Sequence, residues 1–193
     1  MSAIIKLAVL GALLLISFLL NTVSMFTKGW LYWSIGDGLY YQSGSFGVVP
    51  YHKEIAFVGV ACVLMYLSFA LFFVLFLFYA FAGAIRAIEM LSIDNLILIT
   101  SFITSSYQTQ RSKGSPMTFF AISLISSHIT LMTLISVVLI AVDTNQVKNM
   151  LSAEVGSYKI SVGYSAWLAL CSGLICFAVS VLSLILTRTT DND

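Results

Sequence analysis

Residues 55–84 read IAFVGVACVLMYLSFALFFVLFLFYAFAGA and contain no charged side chain. A helix needs about 20 apolar residues to cross a hydrocarbon core about 30 Å thick, so this stretch is long enough to span a bilayer. Three more stretches of this kind occupy residues 3–25, 117–142 and 162–186. The sequence therefore predicts an all-α membrane protein, a bundle of four transmembrane helices.

Composition supports this class. Hydrophobic residues make up 60% of the 193 residues and charged residues 9%, whereas a soluble domain carries about 25% charged residues. Four spans leave little chain for a separate soluble domain, and we expect a single domain over residues 1–193. The first stretch is longer than the 7–15 residues or so of a signal-peptide core, so we expect an uncleaved span. The net charge of +1 indicates no nucleic-acid partner.

The four spans are separated by predicted loops at residues 26–54, 85–116 and 143–161. An even number of spans places both termini on one side. Cationic residues number five on that side and four on the other. They are Lys6, Arg86, Arg111, Lys113 and Arg188 against Lys28, Lys53, Lys148 and Lys159. This bias favours cytoplasmic termini and extracellular first and third loops.

The middle loop contains a second apolar segment, residues 91–105. It is short for a span and better fits a segment that lies at the interface or packs on the bundle. If it did cross the membrane, there would be five spans and the termini would lie on opposite sides. The polar residues 105–115 that follow are expected to form a loop.

The first loop is rich in aromatic residues around a Gly-Asp-Gly turn signal at residues 36–38. Aromatic residues on both sides of such a signal predict a short β-hairpin or sheet. They also suit the headgroup level of a membrane, where Trp and Tyr concentrate, and the two interpretations are compatible. We predict that this loop binds a protein partner. The predicted contact residues are Trp30, Trp33, Gly38, Leu39, Tyr40 and Tyr41.

Small polar residues recur at helical spacing in three of the spans. Helices in lipid associate through such residues, because they permit close approach and hydrogen bonding. They are Ser17, Asn21 and Ser24 in the first span; Ser123, Ser126, Ser127, Thr130, Thr133 and Ser136 in the third; and Ser165, Ser172, Cys176, Ser180 and Ser183 in the fourth. We expect these faces to point inward as plain packing seams.

One ionisable residue, His128, lies in the middle of the third span. An intramembrane ionisable group is a functional hypothesis by default. No carboxylate lies at its depth, so we expect a neutral histidine hydrogen-bonded to a hydroxyl such as Ser17, Ser172 or Thr130 rather than a proton relay. The cysteines, Cys62, Cys171 and Cys176, all fall within spans and are expected to pack as small apolar residues.

No catalytic motif, phosphate-binding loop or paired His/Cys cluster appears in the sequence. We therefore expect no enzyme, no cofactor, no metal site and no small-molecule substrate. The expected partners are the lipid bilayer and another protein in the membrane, either a channel or receptor or further copies of this chain.

Two motifs give the chain a resemblance to a known family. Trp30 followed by Gly38-Leu39-Tyr40 resembles the first-loop pattern of the claudin superfamily, which includes the peripheral myelin protein, epithelial membrane protein and stargazin-like tetraspans. Residues 156–158 and 163–168 resemble the family's entry into its fourth span. The resemblance implies a four-helix bundle that carries a small extracellular sheet.

The chain departs from the family pattern at several positions. Tyr40 stands where the family has a second Trp, Ser43 stands where it has its first cysteine, and no second cysteine follows. The C-terminal residues 189–193 do not end in the hydrophobic residue that a PDZ groove binds. The resemblance thus implies a sheet without its disulfide, so that the bundle or a partner must hold the loop.

Two functions fit these observations. In the first, the aromatic first loop makes cell-junction or adhesive contacts at the plasma membrane. In the second, the helices dock laterally on an ion channel or receptor and modulate its gating or trafficking, as the likeness to stargazin-like proteins implies. A transporter or pore is a third class, but it predicts intramembrane charges or broken helices. The two prolines, Pro50 and Pro116, lie outside the predicted spans.

Overall fold

The computed structural model describes residues 3–36, 41–49, 56–95, 104–154 and 158–190. It contains four long helices, α1 (Ala3–Phe26), α2 (Ala56–Asn95), α3 (Thr104–Glu154) and α4 (Tyr164–Thr190). Each helix includes a segment long and apolar enough to cross a membrane: Ile5–Phe26, Val58–Ile85, Met117–Val142 and Tyr164–Arg188. The prediction of a four-helix membrane protein is confirmed.

The long helices α2 and α3 continue beyond their spans, which differs from the predicted loops. The end of α2 occupies residues 85–95, and α3 includes both the polar residues 105–115 and residues 143–154. Residues 85–95 and 143–154 contain no Gly or Pro to end a helix. Of the apolar segment 91–105, residues 91–95 belong to α2 and 104–105 to α3, while 96–103 lie outside the described residues.

A three-stranded antiparallel sheet lies at one end of the bundle. It consists of β1 (Leu31–Gly36), β2 (Tyr41–Phe46) and β3 (Tyr158–Val162), in the order β2-β1-β3. The predicted hairpin is confirmed as β1 and β2, with its turn residues 37–40 outside the described part of the chain. The third strand comes from the loop before α4 and was not predicted. The sheet thus joins two loops separated by more than a hundred residues.

Hydroxyl groups connect the helices along the predicted seams. Ser17 of α1 donates to the carbonyl of Ser172 of α4 at 2.9 Å, and Ser172 donates to the carbonyl of Ser17 at 2.7 Å. The predicted seam residues are buried with one exception, Ser127, which is exposed. The expectation that these faces point inward is confirmed for the rest.

Aromatic rings, rather than hydroxyls, line the contact between α1 and α2. The ring of Phe18 lies 5.3–5.8 Å from the rings of four phenylalanines of α2, which are Phe69, Phe72, Phe73 and Phe76. Nearby, the Tyr79 hydroxyl donates to the Leu7 carbonyl at 3.2 Å, across the face of Gly11. Part of the phenylalanine-rich surface of α2 is therefore used inside the bundle.

A candidate interaction surface on the sheet

The two faces of the sheet differ in chemistry. Directly paired residues of antiparallel strands share a face, so Leu31 and Val162 lie on one side, and Tyr32, Ser45 and Ser161 lie on the other. The first face packs on the bundle through β1 and β3, where Leu31 is buried and Val162 contacts the same apolar cluster. Gln42 and Phe46 of β2, on this same side, are exposed. The opposite face is exposed, and we call it the outer face. Its exposed members are Tyr32, Ser43, Ser45, Lys159 and Ser161.

Trp30 lies inside the protein. Only 1% of its surface is exposed, and its indole Nε1–H donates to the carbonyl of Ser24 in α1 at 2.7 Å. Its backbone N–H donates to the carbonyl of Phe46 at 3.0 Å. Trp30 therefore connects the end of α1 to the start of the sheet, and its side chain is not available to touch a partner.

Trp33 also turns away from the outer face. It pairs with Gly44 of β2, and a side chain at Gly44 would collide with the Trp33 indole ring. The glycine thus makes room for a half-buried tryptophan on the bundle side. Of the other predicted contact residues, Tyr41 begins β2 opposite Gly36, and Gly38, Leu39 and Tyr40 lie outside the described residues.

Two glycines allow the sheet to meet α4 closely. The Gly163 N–H donates to the Trp30 carbonyl at 2.8 Å, and the Ser165 N–H donates to the Gly29 carbonyl at 2.9 Å. A Cβ atom at Gly163 would collide with the backbone of Gly29, and one at Gly29 would collide with the Tyr164 ring. This crossing of two backbones fixes the first loop to the beginning of α4.

The sheet is held to the bundle without a disulfide. None of the chain's three cysteines is oxidised; Cys62 and Cys176 are buried and Cys171 is exposed. The Cys62 thiol donates to the carbonyl of Val48, just after β2, at 2.9 Å. Together with the Trp30 indole and the glycine crossing, this contact attaches both ends of the hairpin to the helices. The bundle thus holds the first loop through these contacts, in place of the disulfide of the family pattern.

Aromatic side chains surround the junction of sheet and bundle. Tyr164 and Trp167 in the first turn of α4 are exposed, and the Tyr164 ring lies 6.4 Å from that of Tyr32. Exposed Tyr and Trp at the end of a span suit the headgroup level. The outer face therefore lies next to two exposed aromatic residues at the start of α4.

His128 does not have the surroundings we expected. Its ring faces outward from α3, and its Nδ1 lies 2.8 Å from the carbonyl of Leu124. The expected hydroxyls are used elsewhere: Ser17 and Ser172 bond each other, and Thr130 donates to the carbonyl of Ser126. The expectation of a hydroxyl-bonded histidine is wrong, because the rotation of α3 about its axis places residue 128 on the outside of the bundle.

Within the described residues, no group of three or more His, Cys, Asp or Glu side chains is placed to hold a metal ion. The exposed side chains on the outer face are a tyrosine, three serines and a lysine. These groups hydrogen-bond, stack and pair with an acidic partner, which suits the recognition of another protein.

Four membrane-spanning helices with a three-stranded sheet at one end define a tetraspan membrane protein. The sequence profile of the family described as Tight junction protein, Claudin-like matches residues 1–89 and 89–192. The chain belongs to this claudin-like family. A comparison with curated protein sequences gave no match.

Proposed function

We propose that this protein is a non-catalytic tetraspan of the plasma membrane that makes junctional or adhesive contacts through the outer face of its sheet. Family membership supports a junction-type protein. The observation that carries the proposal is the attachment of the sheet to three of the four helices through Trp30, Gly163 and Cys62. A surface held in this way loses little conformational freedom on binding, which favours affinity.

The proposal shifts the contact from the two tryptophans, which face the bundle, to exposed residues. Trp30 and Trp33 are positioning residues, whereas Tyr32 and Lys159 present exposed side chains on neighbouring strands. Tyrosine is enriched among the residues that dominate binding energy. Tyr41, in the strand on the other side, and Gly38, Leu39 and Tyr40 remain predicted contact residues.

A cell-aggregation assay tests this proposal. We expect Tyr32→Ala combined with Lys159→Glu to weaken binding by about tenfold or more, because it removes an aromatic anchor and reverses a charge. The measurement is mixed aggregation of two differently labelled populations of non-adherent cells that express the protein. The amount at the cell surface is measured in parallel. The matched control is Trp167→Ala, an exposed aromatic residue of α4 below the sheet.

Wild-type aggregation by the double variant at equal surface expression would contradict the outer face as the contact surface. Absence of aggregation by the wild-type protein itself would contradict the adhesive role. Equal loss with Trp167→Ala would place the contact at the membrane interface instead of the outer face.

The proposed topology, with the sheet outside the cell and the end of α4 in the cytoplasm, can be tested separately. Lys159 on β3 and Arg188 near the end of α4 are both exposed and lie at opposite ends of the bundle. In a Cys171→Ser background, a membrane-impermeant maleimide should label Lys159→Cys on intact cells and Arg188→Cys only after permeabilisation. The Cys171→Ser protein alone serves as the unlabelled control. Labelling of Arg188→Cys on intact cells would place the sheet in the cytoplasm and rule out an adhesive function.

A second candidate function is that of an auxiliary subunit that docks laterally on an ion channel or receptor. One observation favours it, the polar ring of His128 on the outward side of α3. Purification in mild detergent followed by mass spectrometry tests this function. A channel or receptor recovered in fixed stoichiometry supports it, and recovery of this chain alone argues against it.

A further inference from the structure

The outward side of α3 carries a polar residue within an apolar row. Apart from Ser127, the exposed neighbours of His128 along this side are apolar, namely Phe120, Leu124, Leu131, Ile135 and Val138. His128 is the one ionisable residue of the span Met117–Val142. A polar ring in contact with lipid is unfavourable unless its nitrogen atoms are hydrogen-bonded, because hydrocarbon offers no donor or acceptor.

His128 lies near the middle of the membrane. It is 11 positions after Met117 and 14 before Val142, or about 16 Å and 21 Å at a rise of 1.5 Å per residue. Contacts with α4 give the same level: Thr130 donates to the Gly173 carbonyl and Cys176 to the Ser126 carbonyl. Both α4 residues lie at the centre of the span Tyr164–Arg188. The imidazole is therefore too deep to reach the headgroups.

The hydrogen bonds of His128 leave an acceptor facing outward. The Leu124 carbonyl can only accept, so Nδ1 at 2.8 Å is the donor. In the neutral ring, Nε2 is then an acceptor. Beside it, the Ser180 hydroxyl donates to the Ser123 carbonyl, so the Ser127 hydroxyl is the donor in its 2.7 Å bond with Ser180. The donor hydrogens of His128 and Ser127 are therefore both engaged within the protein, whereas His128 Nε2 remains a hydrogen-bond acceptor.

We propose that this side of α3 docks a transmembrane helix of another protein, which presents an Asn or Gln carboxamide or a Ser or Thr hydroxyl to His128 Nε2. This inference deepens the second function proposed above, lateral docking on another membrane protein, by assigning its face and its chemistry. A donor from such a helix satisfies the nitrogen that lipid leaves without a partner, and the apolar row around it offers surface for close packing.

Lipid molecules do not fit this acceptor. Acyl chains carry no hydrogen-bond donors, and headgroups or sterol hydroxyls stay at the interface, about 15 Å from the bilayer centre. A donor at mid-membrane depth must come from a protein helix.

A second copy of the chain does not fit it either. A two-fold contact through α3 would bring two His128 acceptors together. Among the described residues, Ser127 also faces outward at this depth, but its hydrogen is used in the bond to Ser180. The next nearest polar side chains that face outward are Tyr66 of α2 and Cys171 of α4. The bond of Ser136 to the Ala61 carbonyl places Tyr66 about one turn nearer the sheet than His128. The bond of Thr130 to the Gly173 carbonyl places Cys171 at about the same level as Tyr66. Side chains lean towards the N-terminus of their helix, so both lean towards the sheet while His128 leans away.

The test uses the full chain in phosphatidylcholine vesicles with a synthetic leucine-rich spanning peptide that has one central Asn. Energy transfer between labelled protein and labelled peptide is measured at dilutions where the peptide alone is monomeric. We expect the protein to bind this peptide about three- to tenfold more tightly than an all-leucine peptide. His128→Leu should lose the preference, and His128→Gln, which retains an acceptor oxygen, should keep part of it. The matched control, Leu131→Ala on the same side, should keep it.

Four results of the vesicle experiment would overturn the inference. They are the absence of a preference in the wild-type protein, an equal preference in His128→Leu, a peptide with Asn near one end that binds as well as the central one, and self-association of the protein that His128→Leu abolishes. Since residue 128 faces outward, the variant should elute as a folded protein, and Leu131→Ala controls for lost packing. A channel that co-purifies equally with wild-type and His128→Leu proteins would preserve the second proposed function while overturning this inference.

Discussion

Trp30→Ala is expected to lower the free energy of unfolding by about 3–5 kcal/mol, the range for truncating a large buried aromatic side chain. The indole fills the junction of α1, the sheet and α4, and its N–H is bonded to the Ser24 carbonyl. Its removal leaves a cavity and takes one donor from the Ser24 carbonyl, which also accepts from the Thr27 hydroxyl at 3.3 Å. Because a native protein is stable by only about 5–15 kcal/mol, we expect poor surface expression. Denaturant titration in detergent micelles measures the stability.

Two comparisons separate the causes of this loss. Trp30→Phe keeps most of the bulk and removes the N–H, so it should cost about 1 kcal/mol for the hydrogen bond alone. Trp167→Ala removes the same side chain from a position that is 61% exposed and should change stability little. If Trp30→Ala had normal stability and expression but lost adhesion, Trp30 would instead contact the partner directly, as predicted from the sequence.

Gly163→Ala is expected to destabilise the protein by about 3 kcal/mol or more. The added methyl group would collide with the backbone of Gly29 and lie 2.7 Å from Cε2 of Tyr32. Backbone cannot rotate away as a side chain can, so the sheet must move from α4. That movement weakens the two hydrogen bonds across the crossing in addition to the cost of overpacking. Thermal unfolding of the purified protein measures the effect.

Gly83→Ala is the matched control for this change. A Cβ atom at Gly83, in the α2 span, meets nothing within 4 Å. Alanine also favours a helix over glycine by up to about 1 kcal/mol. We therefore expect unchanged or slightly higher stability for Gly83→Ala. Similar melting temperatures for the two variants would show that the close approach at Gly163 does not hold the sheet.

The small polar seams show how far sequence reasoning reaches inside the bundle. Serines at helical spacing predicted the inward faces of α1, α3 and α4, because hydroxyls in lipid seek partners on neighbouring helices. Ser17 and Ser172 then met across α1 and α4. The separate expectation that His128 bonds a hydroxyl was wrong, because its ring faces outward and bonds the carbonyl one turn back in its own helix. A polar side chain with a local acceptor need not face the bundle.

The aromatic first loop shows a second limit. Alternating aromatics around a glycine-rich turn predicted the hairpin, but Trp30 and Trp33 were assigned to the contact surface and Tyr32 was not. In the structure, Trp30 and Trp33 turn to the bundle and Tyr32 turns outward. The pairing of β1 with Lys159 and Ser161 of β3 was not foreseen. Residues 158–162 are five residues between a long helix and α4, and their pairing depends on a strand far away in the chain.

The sequence by itself determined the class of this protein, the number of spans and the hairpin, because hydropathy over about 20 residues and a turn signal are local properties. The tertiary structure decided which side of each helix faces lipid. In a bilayer, apolar residues suit both the interior and the outside, so apolar periodicity does not specify the rotation of a helix. It also decided that a buried tryptophan and two glycines hold the sheet, since those contacts join residues that only the folded bundle brings together.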